Sequence, residues 1–212
     1  MAKIIPAILV FSLGALLYMG QVQGSPYVDQ SRNVFISLLS VADLAKKGVL
    51  FTDTKTQLKV KEVSNSIDLE RLSQLSFGKR WQSFTKAQRQ RFKNLLMQLL
   101  EWILYPKAQK INVGIDQIVF SPKEKNIVDV KVPIEREVDG DLVKDTAELK
   151  FFFHKLGKQQ KIYDAFIEGE RLSTNLKRQF DKALEKKTFD QILDLMAKRV
   201  NKAKESQKKN DK

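Results

Sequence analysis

Apolar positions change their spacing twice along this chain, so that it reads as helices, then strands, then helices. From about Val28 to Lys46, Phe35, Leu38, Leu39, Ala42 and Ala45 share one helical face, and Gly48 is placed to end the run. Leu50 to Ser64 is polar and basic with weak periodicity and predicts no definite element. A short helix is expected near Asp68 to Leu75. The clearest helix is Lys86 to Leu104, where Phe92, Leu95, Leu96, Leu99, Leu100 and Ile103 recur at the 3,4 spacing. Thr85 and Gln88 form a capping box at its start, and Pro106 is expected to end it.

The middle of the chain alternates. Val128, Val130, Val132, Ile134 and Val138 are interleaved with Asp129, Lys131, Glu135 and Glu137, the pattern of a strand with one wet face. Asp139-Gly140-Asp141 signals a hairpin, after which Ala147, Leu149, Phe151 and Phe153 form a second apolar row. Further strands are predicted at Lys161–Glu168 and Ile115–Phe120. Short connections make the sheet antiparallel. Leu172, Leu176, Phe180 and Leu184 then stripe one helix, and Phe189 to Val200 another, begun by a second capping box at Thr188 and Gln191. The expected fold is α+β, with an antiparallel sheet of about four strands against several helices. Periodicity leaves open whether sheet and helices close on a solid core or around a cavity.

The first residues belong to a different kind of segment. Lys3 precedes an uncharged apolar run, Ile4 to Met19, and small residues follow at Val22 and Gly24. The run is about 16 residues, short of the roughly 20 needed to span a bilayer, so 1–24 is expected to be a signal peptide cleaved after Gly24. Residues 25–200 then form one domain, and the Lys-rich 201–212 a disordered or frayed tail. The chain has no cysteine, which removes disulfides, thiolate metal sites, thiol catalysis and lipoprotein attachment together.

Charge and chemistry narrow the function by exclusion. A net charge of +13 fits nucleic acid, an anionic lipid surface or an acidic protein face, and export argues against the first. Lys79-Arg80-Trp81 and Arg89-Gln90-Arg91-Phe92 interleave bases and aromatics, but Phe92 lies on a helical core stripe. The single histidine, His154, has no acid–hydroxyl arrangement near it in sequence, and no nucleophile elbow, phosphate loop or metal motif occurs. The expectation is a non-enzyme with no metal and no cofactor.

Two ordered blocks carry a family resemblance. One is Asp68-Leu-Glu-Arg-Leu72, Phe77-Gly78-Lys-Arg-Trp81 and Thr85-Lys-Ala-Gln88-Arg-Gln-Arg91-Phe92. The other is Ile162-Tyr163-Asp164, Glu168-Gly169, Leu172 and Asn175-Leu-Lys-Arg178-Gln179-Phe180. In order and spacing the chain from about Val28 to Val200 resembles the toluene-tolerance family of periplasmic phospholipid carriers, the MlaC-like proteins. It departs at Gln160, where the family usually has tryptophan, at Leu176 within the Asn-Tyr-Arg string, and at Tyr105, one place later than the family's tyrosine. The resemblance implies a deep apolar pocket holding phospholipid tails. It also implies a shuttle between an inner-membrane transporter of the ATP-binding cassette type and an outer-membrane complex, with phospholipid as cargo. Under that reading the pocket residues are Val130, Val132, Leu149, Phe151 and Phe153, with Tyr163 from the next strand and Leu96 and Leu100 from the long helix. Trp81 and Phe180 are taken as scaffold, and Arg178 as either mouth residue or surface ion pair. Two alternatives stand beside it: a carrier of another apolar lipid, such as a hopanoid-like polycycle, and a basic envelope interaction protein with a filled core.

Overall fold

Both capping boxes form. In the computed structural model Thr85 N–H donates to Gln88 Oε1 at 3.0 Å while Gln88 N–H donates to Thr85 Oγ1 at 3.2 Å, and Thr188 and Gln191 repeat the exchange at 2.9 and 3.3 Å. Each box satisfies two backbone amides that a helix start leaves without partners. Thr85→Ala or Thr188→Ala should therefore each cost about 1 kcal/mol, read as a lower urea midpoint with an unchanged slope.

The structure describes residues 25–46, 53–109, 113–138, 141–167 and 169–210; the leader, Gly48 and the Asp139-Gly140 turn lie outside them. Helix α1 is Pro26–Lys46, α2 Thr54–Asn65, α3 Leu69–Phe77 and α4 Lys86–Gln109, with a 3₁₀ turn Gly78–Ser83 between the last two. A second 3₁₀ turn, Ile115–Gln117, leads into β1 Val119–Glu124, β2 Ile127–Val138, β3 Asp141–Leu156, β4 Gln159–Ile167 and β5 Glu170–Arg171. Helices α5 Leu172–Leu184 and α6 Phe189–Asn210 close the chain. The fold is α+β, and its five strands form one antiparallel sheet in sequential order.

Four elements differ from the sequence expectation. Residues with weak periodicity form α2, capped by Asp53, whose carboxylate accepts from Lys55 N–H; three buried positions, Thr56, Val60 and Val63, suffice to dock it. Helix α4 runs past Pro106 to Gln109, since a proline removes a single intrahelical bond near the helix end. Ile115–Gln117 is a 3₁₀ turn and the strand starts at Val119. The Lys-rich stretch expected as a tail continues α6 to Asn210, with Val200 buried and Lys204 bonded to Gln98 at 2.9 Å.

Two apolar cores result. The first joins α1 and α2 to one face of the sheet through Val34, Phe35, Leu38, Val41, Val60 and Val63. The second lies among α3, α4, α5 and α6, where Phe77 touches the rings of Trp81, Phe84, Phe92, Phe180 and Phe189. Gly78 ends α3 with a φ of +56°, a conformation strained for any residue with a Cβ, and so turns the chain back towards this nest. At the seam, Asp68 N–H donates to Ile162 O and Ile162 N–H to Ser66 O, both at 2.8 Å, fastening the α2–α3 link to β4.

Candidate functional site

The inner face of the sheet is assembled by register. Val128 pairs with Phe151, Val130 with Leu149 and Val132 with Ala147, so the apolar rows of β2 and β3 point to one side. Phe153, Ile162 and Ala165 extend that surface across β4. Five of the eight residues expected at a pocket, Val130, Val132, Leu149, Phe151 and Phe153, are thus brought together. Helix α1 lies on them: the Phe35 ring is 5.9 Å from Phe151 and 5.5 Å from Phe120, and Tyr27 is 5.3 Å from Phe153. Val130 and Phe153 have no solvent exposure.

Beside this face, an open cleft of about 260 Å³ runs along the C-terminal half of α1, lined by Ile36, Leu39, Ala42, Asp43, Val113 and Ile115 among others. It is smaller than the roughly 300–1,000 Å³ of an ordinary small-molecule pocket. Leu39, Val113 and Ile115 also pack on the first core, so the cleft borders that core, although none of the five row residues lines it. The surface offers dispersion and burial, with no charged group among its buried members.

The other three residues stand elsewhere. Leu96 and Leu100 belong to the second core. Tyr163 is the extra residue of a bulge, because Phe152 pairs with Asp164 and Phe153 with Ile162. Its ring lies 6.3 Å from Phe152 and 5.5 Å from His154, with the Arg71 guanidinium 5.0 Å away. That cluster occupies the sheet face opposite Phe151 and Phe153. Arg178 makes a forked pair with Glu170, at 2.7 and 2.9 Å, and is a surface ion pair. Trp81 and Phe92 are fully buried, which closes their rings to nucleic-acid bases.

Long-range polar contacts add what the sequence did not disclose. His154 Nε2 lies 2.8 Å from Asp68 Oδ2, and Asp68 also caps α3 by accepting from Arg71 N–H. Glu70 accepts the Trp81 indole N–H at 2.6 Å and the Lys93 ammonium at 2.9 Å. Asp164, fully enclosed, accepts from Ala165 N–H, Ser173 N–H, Ser173 Oγ and Arg171 Nε. Among the described residues no three acidic or histidine side chains converge as metal ligands. The one signal available in sequence was an aspartate, Asp164, inside the largely apolar run Ile162–Ile167, because a buried carboxylate needs dedicated partners.

Two carboxyls respond to pH with opposite sign. Burial pushes Glu70 up, but Lys93 and Trp81 outweigh it and hold the group below the usual carboxylate range. Burial pushes Glu101 up, and the Ser64 hydroxyl and Lys204 only partly offset it. The stability Glu70 contributes is present above its unfolded value and is lost as pH falls through its lowered folded value; for Glu101 the folded state gains stability as pH falls, and the cost of its charge is felt above its raised value. Glu101→Gln should therefore raise the urea midpoint at pH 7, and Glu70→Gln should lower it, through a stability loss of about 1 kcal/mol or less. Both differences from the parent chain should shrink as pH falls, for Glu101→Gln below its unfolded value and for Glu70→Gln only as pH passes through its lowered folded value.

The residues that carry the two sequence blocks are thus mainly scaffold: the ring nest, the Glu70–Trp81 bond and the Asp164 cluster. A model of the MlaC protein family matches residues 42–198, which include both blocks. The chain belongs to the MlaC family. The solved phospholipid-binding protein from Ralstonia solanacearum, in complex with a phospholipid, is similar in fold to this MlaC-family chain. Its TM-score is 0.61 at 19% identity, over 84% of this chain and 97% of that one. No curated protein matches the sequence significantly.

Proposed function

We propose that this MlaC-family protein is a phospholipid carrier whose cargo tails lie against the inner sheet face, on Val130, Val132, Leu149, Phe151 and Phe153. Family membership carries the reading, supported by a fold shared with a protein solved around a phospholipid. Leu96, Leu100 and Tyr163, on other surfaces, are secondary candidates.

The mechanism needs no reacting group. Each methylene removed from water contributes about 0.8 kcal/mol, so some twenty of them give roughly 15–20 kcal/mol before ordering costs. The site has to become available first, because α1 already covers it. Withdrawing Phe35, Leu38 and Val41 from the rows and seating acyl chains there exchanges one apolar contact for another. Loading is then nearly balanced in hydrophobic energy, whereas an uncovered sheet face in water is strongly disfavoured. Exchange with a bilayer is balanced for the same reason, so direction is set by the membrane complexes on either side. In this reading residues 1–24 direct export, the protein works in the periplasm, and its partners are an inner-membrane transporter of the ATP-binding cassette type and an outer-membrane complex.

Close packing of α1 on the sheet favours one rival, a basic envelope interaction protein with a filled core. Mass spectrometry of lipids extracted from protein purified without detergent decides between them. About one phospholipid per chain is the expected result. A polycyclic lipid would keep the site and change its cargo. No lipid from protein shown to be folded would leave the filled-core reading.

A further inference from the structure

The positive charge of this chain is concentrated in one part of the fold. Residues 68–109 and 172–210, which build the helical core, hold nineteen lysines and arginines against eight acids, or +11 of the chain's +13. In sequence, residues 134–148 hold six acids against two bases, so the excess charge is not spread evenly.

Within the helical part, one corner gathers the field. Gln88 bonds Asp190 at 2.9 Å, Arg91 bonds Asp194 at 2.7 Å and Gln98 bonds Lys204 at 2.9 Å, so α4 and α6 run side by side and parallel. Their positive ends therefore lie together, joined by the Phe84 and Phe189 rings stacked 3.6 Å apart. Lys86 opens α4, and Lys186 and Lys187 precede the α6 cap. Lys79 and Lys182 adjoin the Arg80–Asp181 pair, which ties the 3₁₀ turn to α5. All five lysines are exposed and none has an ionic partner among the described residues. The nearby acids are largely engaged. Asp181 is shared by Arg80 and Lys177, Asp194 pairs with Arg91 and Asp190 takes the Gln88 amide, which leaves Glu185.

We propose that this corner is the surface by which the protein docks on an anionic lipid membrane. Lysine composition selects that partner over an acidic protein. Protein interfaces favour arginine and disfavour lysine. Here Arg80, Arg89 and Arg91 are each spent on internal bonds, to Asp181, Gln82 and Asp194. The free cations are all lysines, mobile point charges suited to a fluid layer of headgroups with no fixed geometry.

The test is co-sedimentation of the full chain with phosphatidylcholine vesicles, with or without about 30% phosphatidylglycerol. Sedimentation above the phosphatidylcholine background is expected only with the anionic vesicles, and that excess should fall when salt is raised from about 50 to 300 mM. The variant K79Q/K86Q/K182Q/K186Q/K187Q should partition at least about tenfold more weakly. A control that removes the same charge from α2 and the sheet loops, K55Q/K61Q/K125Q/K155Q/K158Q, should weaken by no more than about threefold. The apolar run near the N-terminus is common to all three proteins and cancels. If the fivefold variant does not fold, K186Q/K187Q serves in its place, with about a threefold loss expected against none for K155Q/K158Q. Equal losses in patch and control variants, or no salt-dependent excess on the anionic vesicles, would overturn the proposal. So would capture of poly-glutamate by a chain that ignores anionic vesicles, which would assign the corner to an acidic polypeptide. Lipid content measured in parallel separates a docking defect from a failure to carry lipid.

Discussion

Asp164→Ala is expected to cost about 3–5 kcal/mol of folding stability, the largest effect of any single polar change in this protein. The carboxylate has no exposure, so its solvation has been replaced entirely by protein donors. Oδ1 accepts from Ala165 N–H at 2.9 Å and Ser173 N–H at 3.0 Å, while Oδ2 accepts from Ser173 Oγ at 2.6 Å and Arg171 Nε at 3.0 Å. Ser173 is the second residue of α5, so a carboxylate on β4 acts as the cap that Arg171 does not supply from its own side chain. Alanine leaves these donors and the guanidinium facing a void at the joint between sheet and helical core. Asp164→Asn preserves the volume but turns an amide N–H towards at least one donor, and should cost about 2–3 kcal/mol. The measurement is a urea titration of both variants. A loss below about 1 kcal/mol for alanine would mean that solvent reaches the site and that the cluster is not a joint.

Phe77→Ala should be comparably damaging for a different reason. This residue, at 3% exposure, is the hub of the ring nest: it stacks on Trp81 and Phe180 at 5.7 and 4.8 Å and meets Phe84, Phe92 and Phe189 edge-on at 5.0 to 5.5 Å. Truncation removes the buried ring and opens a cavity that five neighbouring rings cannot close without leaving their own contacts. About 3–5 kcal/mol is expected. Phe77→Leu keeps most of the volume and should lose about 1–2 kcal/mol, the part owed to ring geometry. Because the nest and the inner sheet face are separate cores, the leucine variant should carry the parent amount of phospholipid while unfolding at lower urea. Parallel loss of lipid in a folded Phe77→Leu protein would show that the cargo site extends into the helical core, towards Leu96 and Leu100.

Local pattern was enough for much of this architecture. Both capping boxes, the helical stripes of α4, α5 and α6, and the alternating rows of β2 and β3 were legible because each depends on residues a few places apart. Helix α2 was not legible, since three buried positions and one aspartate cap do not raise a periodic signal above a polar background. The five candidate residues of β2 and β3 share a face because strand alternation is strictly twofold and the register between the strands is unbroken across them. Tyr163 escaped that logic at the bulge in β4, where one extra residue resets the alternation. Leu96 and Leu100 lie on a true apolar stripe, but a stripe does not name the surface it packs against.

The sequence by itself determined the α+β class, the helix–strand–helix order, the antiparallel sheet, the absence of thiol chemistry and the family to which the chain belongs. These rest on periods, caps and short spaced blocks, all written locally. Only the tertiary structure decided that there are two cores, that α1 lies on the inner sheet face, that Asp164 joins β4 to α5, and that two helix starts and five free lysines meet at one corner. Each of these brings together residues far apart in the chain. Burial and hydrogen bonding act between neighbours in space, and a one-dimensional pattern records which residues seek partners without recording which partners they find.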